Sequence, residues 1–201
     1  MFEKFGEMSS YTEINELAKN LLEEGDLDSL KEMAKESGRP GNMLYPLPAV
    51  MVSCQKPEEK PNIITVAWTG TICSSPAMVS ISVRPERYSY HIIKETGEFV
   101  INLTTEKLAY ATDYCGVRSG KDVDKFKEMH MTPGRCEGVN APLIEESPVN
   151  IGCRVKQVLE LGSHHMFIAD VVSVEVDGAY MDQKGKFDLN RAGLMVYSHG
   201  E

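Results

Sequence analysis

No stretch of this chain stays apolar for the roughly 18–20 residues that a bilayer crossing requires. The opening MFEKFGEMSS has none of the apolar core of a secretory leader, so a cytoplasmic location is the expectation, with no membrane partner. Positive charge is scarce: 21 Lys and Arg face 30 Asp and Glu, a net charge of −9. That argues against nucleic acid as the main partner, because phosphate backbones select basic surfaces. A local arginine cluster can still hold a small anion. There is no CxxC pair. The five cysteines, at 54, 73, 115, 136 and 153, are odd in number and scattered, unlike a disulfide framework. They fit a reducing compartment, where each packs as a small apolar residue. Internal repeats and the motifs GxGxxG, GxxxxGK[ST], GxSxG and HExxH are all missing. His164 and His165 are neighbours on an expected strand, so they point to opposite faces and make a poor chelating pair; no metal site is expected.

What remains is an ordinary globular composition, 42% hydrophobic and 25% charged over 201 residues, enough for one domain with a small appendage. Residues 9–38 carry Ile14, Leu17, Ala18, Leu21 and Leu22 at helical spacing, then Leu27, Leu30, Met33 and Ala34. This predicts two short helices broken near Gly25 and Asp26, the second ending at Gly38, with a hinge at 39–41. Residues 1–41 are therefore expected to form a helical extension for packing, dimerisation or docking, and 42–201 the main domain. There, strands are expected at 49–54, 62–69, 77–84, 98–103, 149–159 and 166–176. Helices are expected at 89–96, 105–115 and 122–130, ending at Gly97 and Gly116 and opening at Asp122 respectively. Many strands, short turns and few helices predict a mainly β protein, a closed antiparallel barrel with α insertions.

The richest stretch is NIITVAWTGTICSSPAMVSISVRPERYSY, residues 62–90. Ile64, Val66 and Trp68 alternate with Ile63, Thr65, Ala67 and Thr69; later Val79, Ile81 and Val83 alternate with Met78, Ser80, Ser82 and Arg84. Between them TICSSP reads as a loop of hydroxyls and unhindered amides. RPERYS then places Arg84, Arg87 and Ser89 at a strand–helix junction. Guanidinium groups, hydroxyls and free amides at adjacent strand ends suit a ligand with a phosphate and a flat polar ring.

This pattern resembles the FMN-binding split-barrel proteins of the flavin reductase-like family, especially the flavoredoxin-like branch, and the resemblance covers about 42–201. LYPLPAVMVSC at 44–54 is similar to the family's opening strand, SGKDVDKF at 119–126 to its Ser-Gly-x-x-x-Asp-Lys-Phe signature, and GSHHMFIAD at 162–170 to its Gly-Asp-His strand entry, with Ser163 in place of the aspartate and Ala169 in place of a later glycine. The resemblance implies a homodimer with FMN in a groove shaped by both subunits. It places Asn62, Thr65, Trp68 and Thr69 along the ring, and Cys73, Ser74, Arg84, Arg87 and Ser89 at the phosphate and ribityl end. Asn102 and Tyr197 fall beside the flavin, and Lys125 and His164 at the reacting edge. Other roles stay open for several of these: core for Trp68, a sealed strand end for Asn102, a strand cap for Tyr197, solvated surface for the arginines. The implied function is an oxidoreductase or electron-transfer flavoprotein taking electrons from NAD(P)H or a redox protein such as ferredoxin. A non-catalytic FMN store or carrier is the alternative, and a barrel holding another flat ligand such as haem is a third.

Overall fold

The computed structural model describes residues 16, 19–20, 22–25 and 38–198. The chain divides into two compact units, Met1–Asn42 and Met43–Glu201. In the first, Glu16, Lys19, Asn20, Leu22 and Glu23 are helical and run into a turn at Glu24 and Gly25. The rest of the expected helix pair lies outside the described residues.

The second unit begins with β1 (Leu47–Pro48), β2 (Val50–Cys54), β3 (Asn62–Val66), β4 (Thr69–Ser74) and β5 (Ala77–Val83). Helix α1 (Tyr88–Thr96), β6 (Glu98–Leu103), helices α2 (Ala109–Val117) and α3 (Lys125–Glu128), and the short strands β7 (Pro133–Gly134) and β8 (Leu143–Ile144) follow. The long hairpin β9 (Val149–Glu160) and β10 (His165–Val176), helix α4 (Leu189–Ala192) and β11 (Val196–Tyr197) complete it. Seven strands form one curled antiparallel sheet in the order β3-β2-β6-β9-β10-β5-β4. Its edge strands β3 and β4 are consecutive in the chain, so the short link through Ala67 and Trp68 draws the two edges together into a split barrel. The Trp68 carbonyl accepts from the Ser82 amide at 2.8 Å, tying that link to the end of β5.

The alternation read in β3 and β5 is the one that folds. Ile64, Val66, Val79, Ile81 and Val83 enter the main core inside the curl, with Phe99, Phe167 and the α1 residues Tyr90, Ile92 and Ile93. On the outer face, Met51 and Ile63 pack against Leu108, Ala111 and Cys115 of the α2 region and Phe126 of α3. β2 is thus buried on both faces, the condition that produces an uninterrupted run such as VMVSC. Helix α1 stops where expected: Gly97 takes the left-handed φ of 70° and its amide bonds back to the Ile93 carbonyl at 2.9 Å.

Four expectations change. The strand expected at 62–69 ends at Val66, and Ala67 and Trp68 form the link to β4. Thr71–Ser74 of the expected TICSSP loop belong to the edge strand β4 and only Ser75 and Pro76 turn, because a sheet edge that faces solvent needs no apolar alternation. Gly116 does not end a helix at 115. It lies inside α2, facing Thr65 of β3, where an added Cβ would stand 3.4 Å from the Thr65 Cβ, an ordinary contact. The expected 122–130 helix shrinks to α3, capped by Asp124 rather than Asp122: the Asp124 carboxylate accepts from the Lys127 amide at 3.2 Å.

Candidate functional site

Two adjoining cavities open where β3, β5, α1 and α2 converge. The larger, about 560 Å³, is walled by aliphatic side chains, among them Ile64, Val66 and Val83, and by three aromatic rings: Trp68, His164 and Tyr197. The Trp68 and His164 rings are parallel to within 5° with centroids 6.1 Å apart. Tyr197 tilts 48° against Trp68, also at 6.1 Å. Trp68 comes from the β3–β4 link. Tyr197 is held by β11 pairing with β1, Tyr197 opposite Leu47. His164 sits in the turn before β10 rather than on the strand, its Nδ1 3.0 Å from the Ser163 hydroxyl. Burial pulls the His164 imidazole below the usual histidine range, and the nearby Arg84 guanidinium adds to the fall. His165 faces the other way, its Nδ1 2.8 Å from the Tyr90 hydroxyl.

The smaller cavity, about 210 Å³, is lined by four basic side chains, Arg84, Arg87, Arg118 and Lys125, against a single carboxylate, Glu86. Arg84 pairs with Glu86 at 3.5 Å, both well exposed. Arg87 has no ion pair among the described residues. Lys125 is 3% exposed and its Nζ donates to the Ile63 carbonyl at 2.6 Å and the Cys115 carbonyl at 2.8 Å. Burial holds its ammonium below the ordinary lysine range. Burial also pushes the adjoining thiols up, Cys115 to about 11 and Cys54 to about 12. Asn62 donates from Nδ2 to the Ser89 hydroxyl at 2.7 Å, and both are buried. Arg87 is the N-cap of α1, and Ser89 lies inside the first turn. Gly120 seals the floor: an added Cβ would fall 1.8 Å from Asn62 Oδ1, so only glycine permits this approach. Ile64, Arg84, Arg87 and Gly116 line both cavities, which therefore adjoin.

The structure thus assembles Trp68, His164 and Tyr197 at one end and Asn62, Arg84, Arg87, Ser89 and Lys125 at the other. Lys125 and His164, expected together at one reacting edge, line different cavities. Thr65 lines the larger cavity, but its hydroxyl donates to the Thr112 carbonyl at 2.5 Å, fastening α2. The Thr69 hydroxyl is turned to the Ser80 carbonyl at 2.8 Å. Cys73 and Ser74 stand at the far end of the β4–β5 hairpin. Ser74 pairs with Ala77, five residues along β5 from the cavity residue Ser82, or about 16 Å at strand rise. Asn102 lines neither cavity and is fully buried, with its amide engaged on both sides. Sequence reasoning missed Arg118 as a wall of the smaller cavity, although it directly precedes the Ser119–Gly120 pair of the quoted signature. It also missed Thr112 and Val117 of α2, which carry no motif and are brought in by helix packing. No helix among the described residues is long and apolar enough to cross a membrane.

A groove with a cationic pocket at one end and parallel aromatic walls at the other suits a phosphorylated flat ring system. Residues 42–200 match the family described as flavin reductase like domain. A protein of Archaeoglobus fulgidus is 32% identical over 158 residues, 79% of this chain and 87% of its own length. Among solved structures, the flavoredoxin of Desulfovibrio vulgaris (Miyazaki F) is 31% identical with a TM-score of 0.77, covering 83% of this chain and 89% of that one. A flavoredoxin from Methanosarcina acetivorans is 25% identical with a TM-score of 0.73, covering 84% and 93%.

Proposed function

The chain belongs to the flavin reductase-like family, in its flavoredoxin branch, and from that premise we propose that it is an FMN-dependent oxidoreductase. Its electrons come from NAD(P)H or a redox protein such as ferredoxin and go to a second acceptor. The observation that carries this reading is the adjacency of the 210 Å³ arginine- and lysine-lined cavity and the 560 Å³ aromatic-walled cavity, which share Ile64, Arg84, Arg87 and Gly116 as walls. A phosphate monoester and a flat ring, joined by a short polar chain, match that sequence of surroundings. FMN fits better than FAD because a terminal monoester presents a dianion to Lys125 and Arg87, whereas each phosphorus of a pyrophosphate carries one charge.

In this reading Arg87, Arg84 and Lys125 hold the phosphate, and Asn62 and Ser89 fix the pocket's shape. Trp68, Tyr197 and the aliphatic residues around them wall the ring and exclude water. Bound flavin supplies two-electron chemistry with hydride donors and one-electron chemistry with redox proteins. His164 stands on the open aromatic side. Kept neutral by burial and by Arg84, it can donate or accept a hydrogen bond without introducing a charge beside the incoming molecule. The protein is expected to work as a cytoplasmic homodimer.

The test is the colour of the purified, FMN-loaded protein. Anaerobic addition of NADH, NADPH or reduced ferredoxin should bleach the flavin band near ~450 nm. If none of the three donors bleaches it, an FMN store or carrier replaces the oxidoreductase reading.

A further inference from the structure

Resting on the reading of the smaller cavity as a phosphate pocket, we infer that Lys125 engages the phosphate by taking up a proton, so that FMN is held near neutral pH and released as the solution turns alkaline. The geometry sets this up. A charged lysine has three N–H donors, whereas a neutral amine has two donors and a lone pair. Nζ of Lys125 gives one bond to the Ile63 carbonyl and one to the Cys115 carbonyl, at 2.6 and 2.8 Å. Those two bonds use both N–H donors of a neutral amine and leave a charged lysine with one donor to spare. Only a phosphate, or another acceptor entering the cavity, gives a third proton a partner.

Among the described residues, no carboxylate pairs with Lys125. Cys54 of β2 and Cys115 of α2 are neutral thiols at physiological pH, since burial raises them to about 12 and about 11. Arg84, Arg87 and Arg118 share the cavity with Lys125 and are positive; Tyr88, Ser89 and Asn62 are uncharged. Glu86 is committed to Arg84 at 3.5 Å on the surface. A buried ammonium with no counter-ion is costly, and the group relieves that cost by losing its proton. Burial, assisted by Arg87, accordingly holds Lys125 below the ordinary range in the free protein. A phosphate dianion supplies the missing counter-ion. A proton then moves from solvent to Nζ as the phosphate binds, and no electrons are transferred.

The sign follows by linkage. Binding takes up a proton wherever the complex holds Lys125 charged and the free protein does not, so affinity falls as pH rises through that window. The dianion itself persists above its second pKa of about 6. The arginines keep their charge throughout, and the two thiols ionise later.

Titration calorimetry of FMN and of riboflavin, each in two buffers of different ionisation heat between about pH 7 and about pH 10, decides the matter. FMN is expected to bind with buffer-dependent heat corresponding to proton uptake and to weaken by up to ~10-fold per pH unit in the alkaline arm. Riboflavin is expected to show neither effect. Lys125→Gln should bind FMN more weakly with a flat pH profile, and the wild-type heats decide the question even if that variant does not fold. FMN binding far tighter than riboflavin but with buffer-independent heat throughout would overturn the proton uptake and leave the phosphate pocket standing. Equal affinities for FMN and riboflavin would overturn the phosphate pocket itself.

Discussion

Asn102 is fully buried, and its amide nitrogen donates to the Met51 carbonyl, the Ser53 hydroxyl and the Val100 carbonyl. Its oxygen accepts from the Ile144 amide at 2.9 Å and from Asn150 at 2.7 Å. With nothing left for a ligand, it joins β2, β6, β8 and β9. Asn102→Leu leaves several buried polar groups unpaired and is expected to lower the unfolding free energy by about 3 kcal/mol in urea titrations, with FMN affinity unchanged in the fraction that remains folded. Arg87 is the reverse case. It is exposed and free of ion pairs among the described residues, so Arg87→Ala should leave the urea midpoint in place. Loss of a charge-assisted contact to a dianion is worth about 1.5–2 kcal/mol, which weakens FMN roughly tenfold to thirtyfold, while riboflavin binding does not change. Equal weakening of both ligands would remove Arg87 from the phosphate end.

At the scale of elements, the segment between α2 and α3 acts through its backbone. Gly120 brings the chain so close to Asn62 that a methyl group has no room, and Asn62 in turn holds Ser89 in the first turn of α1. Gly120→Ala must push Asn62 aside. It is expected to cost about 2 kcal/mol of stability and to weaken FMN binding, while Gly185→Ala in the distant turn does not weaken it; thermal melts with and without FMN separate the two effects. This approach was legible only in part. The signature at 119–126 marked the block as special, but its contact with Asn62 spans more than fifty residues and no local pattern encodes it. Strands β2, β3, β5, β6, β9 and β10 were readable because each has a face that must be buried, and burial writes alternation or continuous apolar runs into the sequence. β4 was not readable, since an edge strand partly open to solvent carries no such imprint. For the same reason nothing local in the sequence shows that strand pairing carries Cys73 and Ser74 to the far end of a hairpin. The cluster of Arg84, Arg87 and Ser89 could be foreseen because one turn holds all three. The meeting of Trp68, His164 and Tyr197 depends on the curl of the whole sheet.

For the molecule as a whole, the larger cavity has an apolar rim that faces solvent. Val117 is 68% exposed, Val196 57% and Trp68 37%, yet all three line the larger cavity. Apolar groups that both wall a ligand site and face solvent mark a surface that something else covers. A second copy of the chain is the simplest cover, because a two-fold pairing would protect two such rims at once. Light scattering of the purified protein should then give about twice the 22.4 kDa chain mass. Val117→Glu places a charge on that rim without touching the core inside the curl. It is expected to shift the protein to a monomer, because burying an unpaired carboxylate costs more than a modest interface returns. The same variant should bind FMN more weakly, since water then reaches the ring, while the urea midpoint measured without flavin falls only by the share due to dimerisation. A Val117→Glu monomer that keeps wild-type FMN affinity would mean that the walls supplied by one chain suffice, and that the exposed rim serves the incoming electron donor rather than a partner subunit.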